Sequence, residues 1–432
     1  MARMNVGYDL LTWEGDILRL HFWTTAFEQL KSRNAVFLQT EGRLKGCWVM
    51  PIEDGAAAAP AEGDAPAPAD DVADAASVQD ASNDDQREKV IVRSNGTVTY
   101  VGKDIANQFW KFGLLGRDFR YHLFASQPGG RPLWATTSGD TDPAAPPFGN
   151  ARRIYNVIDS RQMYLQALLS QALRTLGHPK EAENSVHFSY EMVALSHATA
   201  RELGYEISSD DAKKPFVEVS GRKGLGVKID DLLDLLTDKA SAEVAKRNPA
   251  FSADECRHTG AQIAVAAIRY FMLKFSRGKL IVFDIEEAIS FEGETGPYLQ
   301  YAVVRASNIF QRMQEREGVG EADVLAALDA GHAAELTSDE DAESDHTLWA
   351  VVFEAARLDD VVEQVVRSLE FSVLAKYAFG LAQRFNAFYH QYPILNEEDA
   401  HRKRWRAAGV AYVRSQLTRA LDLMGIAVPV RM

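Results

Sequence analysis

Cysteine is nearly absent. Cys47 and Cys256 are the only two in 432 residues, too few for a disulfide framework or a zinc knuckle. No stretch of about 18 apolar residues occurs, so the sequence offers no membrane-spanning helix. The opening, Met1-Ala-Arg-Met-Asn-Val-Gly-Tyr8, lacks the apolar core of a signal peptide. The ten histidines include no pair at ligand spacing on one helix, so no zinc site is expected. These absences point to a reducing cytoplasm and to no bound metal or prosthetic group. Basic residues are missing from 53–86, where ten acidic side chains account for most of the formal charge of −14. The last 42 residues run the other way, with seven Lys/Arg against four Asp/Glu around His401-Arg-Lys-Arg-Trp-Arg406. The charge total therefore does not exclude an RNA partner. The basic run fits phosphate contacts and a solvated turn equally well.

What is present reads as two architectures in series. Ile17, Leu20, Trp23, Phe27 and Leu30 recur at helical spacing, and 36–39 and 46–51 read as short strands. The Ala/Pro/Asp/Ser tract from 53 to 88 has too few large apolar groups to fold and is expected to be a disordered insertion. Asn95-Gly96 between alternating segments predicts a hairpin over 89–100. A helix follows from Lys103, then a loop over 127–150, a buried strand at Ile154–Ile158, and a helix after Gln162. Residues 186–195 read as another strand. Strands alternating with helices over 89–236 imply a parallel α/β sheet. After about 248 the strand signal stops, and six helical stretches imply an all-α bundle. A second acidic tract, 335–345, reads as an exposed helix connection.

Phe216-Val-Glu-Val-Ser220-Gly-Arg-Lys-Gly224-Leu-Gly leads from an apolar run through a glycine loop with two cations into a helix begun by Asp230 or Asp231. Glycines let backbone N–H groups approach an anion, and Arg222 and Lys223 add charge, so the stretch suits a phosphate. A surface turn with two solvated cations has the same letters. Tyr100 and Asp104 stand at a strand-to-helix junction, the usual ligand edge of an open α/β sheet, with Gln162 at the next one. A carboxylate flanked by a hydroxyl and an amide suits the five-donor fork of a guanidinium. Each also reads blandly: Asp104 as a helix cap, Tyr100 as a strand aromatic, and His187 as a core histidine. Tyr298 and Tyr301 share a helical face, which serves core packing or stacking on RNA bases.

Several of these stretches resemble one family. Ser220-x-Arg222-Lys223-Gly224 is similar to the mobile ATP loop of class I aminoacyl-tRNA synthetases, with Glu218 and Gly221 where the general pattern has lysines and Val219 for its Met. The segment ending Thr-Val-Thr-Tyr100-x-Gly-Lys-Asp104, and Val157-Ile-Asp-Ser-Arg-Gln162, resemble consecutive segments of the arginyl-tRNA synthetases. Gly-Pro-Tyr298-Leu-Gln-Tyr301-Ala-x-x-Arg305 resembles the opening of their anticodon-binding domain, and Asn386-Ala-Phe-Tyr389 through Met432 resembles their C-terminus.

The resemblance implies a partial Rossmann-type parallel sheet followed by a helical anticodon-binding bundle. In it, 1–88 would be a connective insertion, 89–248 the second half of the catalytic domain, and 249–432 the anticodon-binding domain. It assigns arginine to Tyr100, Asp104 and Gln162, and adenine to His187 and the backbone of Met192 and Val193. The ATP phosphates fall to Ser220, Gly221, Arg222, Lys223 and Gly224, with Ser220, Arg222 and Lys223 catalytic. Tyr298, Tyr301, Arg305, Tyr389 and Met432 would meet tRNA. Arginine, ATP with Mg²⁺ and tRNA-Arg would be the substrates, with neither DNA nor a membrane as partner. No histidine sits in the family's His-x-Gly-His signature, and its tRNA-elbow domain is also missing. Two readings follow: a truncated or split ligase that needs a separate N-terminal half, or a non-catalytic tRNA-binding remnant. Another class I synthetase is a third reading, against which the Tyr100/Asp104 pair argues.

Overall fold

The structure, a computed structural model, describes residues 1–52, 88–209, 211–218, 226–329 and 342–432. The acidic tract expected at 53–88 lies outside the described residues except for Glu88, and so does 335–341 of the second tract. The chain divides into two units, Val6–Tyr190 with Met1–Ala2, and Glu191–Met432 with Arg3–Asn5.

In the first unit, β1 (Leu10–Leu11) leads into α1 (Glu14–Arg19) and α2 (Phe22–Ser32). The apolar spacing predicts a single helix here; the chain breaks it at His21, which takes a left-handed φ of 59°. Ile17, Trp23 and Leu30 are nonetheless all buried. β2 (Phe37–Leu38), β3 (Trp48–Pro51) and β4 (Glu88–Val92) form an antiparallel sheet in that order. Asn95-Gly96 does turn the chain, with Gly96 at φ 84° and the Arg93 N–H donating to the Thr97 carbonyl at 2.9 Å. The expected second strand shrinks to one bridge, Val92 to Val98, because α3 (Tyr100–Lys111) begins two residues later.

β5 (Arg120–Ser126) and β6 (Pro132–Thr137) pair antiparallel, and β1 joins β6 in parallel. The loop expected from 127 thus contains a strand, whose buried residues Trp134, Ala135 and Thr136 are consecutive and so show no alternation. β7 (Ile154–Asp159), α4 (Met163–Thr175), α5 (Pro179–Asn184) and β8 (Ser185–Tyr190) make a βαβ unit, with β7 and β8 parallel and Asn156 opposite His187. Phe22, Ile91, Ile105, Phe109 and Leu168 lie fully buried in one core.

The second unit opens with β9 (Val193–Leu195), α6 (His197–Glu202), α7 (Ile229–Arg247) and α8 (Ala253–Leu273). Lys228, not an aspartate, occupies the N-cap of α7. Asp230 and Asp231 fall in its first turn, where carboxylates favour the helix dipole. β10 (Ile281–Phe283) pairs in parallel with β9, so strands continue past 248 after all; three residues are too few to carry a period. Beyond α9 (Ile285–Ile289) everything described is helical: α10 (Gly296–Glu317), α11 (Glu321–Asp329), α12 (Ala342–Ala356), α13 (Leu358–Ser368), α14 (Ser372–Gln391) and α15 (Ala400–Leu423). A single helix is expected over 361–386, but Leu369 at φ 57° separates α13 from α14. Gly296 permits backbone contact between α8 and α10, since a Cβ there would lie 2.2 Å from the Ala266 carbonyl oxygen. Tyr270, Leu299, Leu381, Phe385 and Leu417 centre the bundle core.

The basic run at 401–406 is neither a solvated turn nor a row of free cations. Arg406 is buried, its guanidinium 2.7 Å from Glu397 and donating to Ser344 Oγ at 3.0 Å, while Lys403 pairs with Glu317 at 2.8 Å. Removing one partner of a buried pair strands the other charge, so Arg406→Ala is expected to cost about 3–5 kcal/mol. A thermal melt checks this, and an unchanged midpoint contradicts it.

Candidate functional site

α3 divides cleanly by face. Val101, Ile105 and Phe109 recur every four residues into the core, which leaves Tyr100, Lys103, Asp104 and Lys111 together on the opposite side. Lys103 is held at both ends of its reach. Its ammonium lies 4.9 Å from the centre of the Tyr100 ring and is ion-paired with Glu14. Glu14 in turn sits on a fixed segment. The Trp13 N–H donates to Thr136 Oγ1 at 2.9 Å, and the Thr136 hydroxyl donates to buried Asp16 at 2.8 Å.

Asp104 itself makes no hydrogen bond or ion pair among the described residues, although its surface reaches solvent. Crowding by protein atoms pushes its carboxyl up to about 6, against the pull of Lys111, with a push from Glu14 and a further pull from Lys103. Burial holds Lys111 below the usual lysine range, and Asp104 pulls it back up. This is a carboxylate whose charge is incompletely met by its own protein. It has a stability consequence. A folded-state value raised above the ordinary 3.8 means that protonation favours the fold. That contribution is complete below about pH 3.8 and is lost as pH rises through about 6. Asp104→Asn, permanently uncharged, is therefore expected to melt higher than wild type at pH 7.5, with the gain fading towards pH 4. A gain that persists unchanged at pH 4 contradicts the cause given.

Gln162 occupies the N-cap position of α4, a helix that packs on α3, and its exposed amide makes no cap bond and has no hydrogen-bond partner among the described residues. His187 lies on β8, half-buried, its Nε2 3.0 Å from the Ile158 carbonyl. That nitrogen is thus already engaged by the neighbouring strand. Met192 and Val193 stand at the start of β9 in the second unit, where the Ile281 N–H donates to the Met192 carbonyl at 3.2 Å. Ser220, Gly221, Arg222, Lys223 and Gly224 lie outside the described residues. The chain entering that loop is tied down, because Val217 and Leu195 exchange backbone hydrogen bonds of 2.9 and 3.0 Å. Val217 thus lies opposite the last residue of β9, about 7 Å along the strand from Val193.

In the bundle, Tyr298, Tyr301 and Arg305 share one face of α10, and α14 completes them. The Asn386 amide donates to the Tyr298 hydroxyl at 2.9 Å and accepts from Arg305 Nη1 at 2.7 Å. Arg305 Nη2 donates to the Tyr301 hydroxyl at 3.0 Å, with the guanidinium 4.7 Å from that ring's centre. Both tyrosines are half-buried. Tyr389 lies one turn beyond Asn386 and stacks on Phe385 with an interplanar angle of 10°. Met432 packs elsewhere, against Ala240, Val244, Cys256 and Ile263 of α7 and α8. Asn386, Lys103 and Glu14 are the additions that the structure makes to the sequence reading. Lys103 lies inside the Tyr-x-Gly-Lys-Asp motif, whereas nothing near Glu14 or Asn386 announces their partners. Among the described residues no cluster of His, Cys, Asp or Glu could hold a metal ion, and no helix is long and apolar enough to cross a membrane.

Residues 299–432 match the family described as the DALR anticodon binding domain. The arginine–tRNA ligase of Thermococcus sibiricus is 31% identical over 429 residues, 99% of this chain and 58% of that relative. That of Thermus thermophilus is 33% identical over 437 residues, 99% of this chain and 61% of the relative. The solved Thermus thermophilus arginyl-tRNA synthetase is similar in structure, with a TM-score of 0.73 at 28% identity, covering 100% of this chain and 61% of that one. The chain thus spans about three fifths of the length of the relatives it matches. An α/β portion with short mixed sheets precedes a helical bundle that matches the DALR anticodon binding domain, and along its whole length the chain is similar to arginyl-tRNA synthetases.

Proposed function

We propose that this chain serves an arginine–tRNA ligase, in which arginine is activated by ATP with Mg²⁺ and passed to tRNA-Arg in the cytoplasm. The observation that carries the reading is Asp104, a solvent-exposed carboxylate with no direct partner among the described residues, one turn from the ring of Tyr100. A guanidinium supplies the charge and the fork of donors that this acid lacks. Gln162 would hold the same side chain. His187 and the main chain of Met192 and Val193 would meet adenine. Ser220, Gly221, Arg222, Lys223 and Gly224 would take the phosphates, where the two cations stabilise charge as the arginine carboxylate attacks the α-phosphorus. Tyr298, Tyr301, Arg305 and Tyr389, with Met432, would read the anticodon loop. In this reading 1–88 is a connective insertion, 89–248 the second half of the catalytic domain and 249–432 the anticodon-binding domain.

One observation favours a second reading, a tRNA-binding module without catalysis: none of the ten histidines stands in His-x-Gly-His, which leaves the chain without the family's other phosphate-holding groups. Arginine-dependent ATP–pyrophosphate exchange with tRNA separates the two. Exchange that appears only when a polypeptide bearing His-x-Gly-His is supplied supports the ligase. Tight tRNA binding with no exchange in either case supports the module.

A further inference from the structure

A cavity of about 420 Å³ lies in the second unit, where the end of α8, the loop after it, α9 and α14 meet. Three ammonium groups face it: Lys274, Lys279 and Lys376. Lys274 is 8% exposed and pairs with Glu287 at 2.7 Å. Its ammonium also lies 5.2 Å from the centre of the Phe275 ring, and that of Lys279 lies 4.9 Å from the same ring. Two like charges are thus gathered on one aromatic ring. Lys376 comes in from α14, and neither it nor Lys279 has an acidic partner among the described residues. Glu294, the other acid lining the cavity, is engaged by the Tyr270 hydroxyl at 3.4 Å.

Three cations against two carboxylates leave one surplus positive charge in an open recess. Like charges lining one recess repel one another, and a bound anion relieves the repulsion. A single surplus charge matches a phosphodiester, which carries one negative charge, better than the several charges of a nucleoside triphosphate. We propose that Lys279 and Lys376, supported by buried Lys274, form a phosphate site that holds one backbone phosphodiester of the bound tRNA away from its anticodon. The proposal rests on the tRNA-binding reading and adds to it a contact that is blind to sequence, since phosphates position an RNA without specifying it.

The test uses the full chain, a fluorescein-labelled tRNA-Arg transcript and anisotropy at several KCl concentrations between 50 and 200 mM. Each phosphate neutralised steepens the salt dependence of binding, so the K279A/K376A double variant is expected to bind more weakly at 50 mM, with a log–log slope shallower by about 1. The gap from wild type then narrows about fourfold by 200 mM. The loss is the same on a transcript with an altered anticodon, and the melting midpoint is unchanged because both side chains are exposed. A slope equal to that of wild type overturns the site while leaving tRNA binding intact. So does a double variant that loses affinity for ATP–Mg²⁺ but not for tRNA, which would make a free nucleotide the source of the phosphate. A wild-type chain that binds no tRNA removes the partner, and the site falls with it.

Discussion

Asp104→Asn abolishes the discrimination between arginine and citrulline, its uncharged isostere. Truncating one side of a hydrogen-bonded charge pair costs about 2–5 kcal/mol, or about 30- to 5,000-fold in affinity. Asp104 is exposed to solvent, so the lower end of that range applies. The same carboxylate sets a pH dependence. With its free-state value pushed up to about 6, the wild-type affinity for arginine is flat at higher pH and falls about tenfold per unit below it. Citrulline, which needs no counter-charge, follows no such curve. Calorimetric titration of the full chain from pH 5 to 8 reads both effects. Arginine binding that is unchanged by the substitution, or level across that range, takes Asp104 out of the site.

Tyr301→Ala weakens binding of the tRNA-Arg anticodon stem-loop about 5- to 150-fold, the 1–3 kcal/mol that one stacked base is worth. The ring also has a structural duty, because Arg305 bonds its hydroxyl and lies over its face. Asn386→Ala separates the two roles. It leaves every ring and cation in place and removes only the amide that links Tyr298 to Arg305. Its expected loss is about 1 kcal/mol, roughly fivefold, from two hydrogen bonds that each contribute about that much or less. Both losses vanish on a stem-loop whose anticodon bases are replaced by abasic sites. If Tyr301→Ala binds the natural stem-loop as tightly as wild type, that face of α10 is packing and not recognition.

The parts of this chain that were legible as letters are those whose partners lie within a turn or two. Tyr100 and Asp104 were legible as a pair at a strand-to-helix junction, although Tyr100 proves to open α3 and not to end a strand. Asn95-Gly96 turns the chain because glycine takes the positive φ that the turn demands. Pro297 at the first turn of α10 and Gly318 at its end, with φ 69°, bracket a helix that its apolar spacing already implies. By contrast β6 and β10 escaped notice: β6, the middle strand of its sheet, is buried at consecutive positions and so shows no alternation, and β10 is only three residues long.

What stayed hidden was which distant charges meet. The basic run ending at Arg406 looks like surface in the sequence, yet Glu397 and Ser344 draw that guanidinium inside. Lys103 looks like one more solvated lysine until Glu14, 89 residues earlier, is placed against it. By itself the sequence determined the order of an α/β portion and a helical bundle, and the residue types offered to a guanidinium and to an RNA loop. Only the tertiary structure decided that Asp104 has no direct partner while Arg406 is fully spent. Whether a charge is free depends on contacts between segments far apart in the chain, and such contacts leave no local period to read.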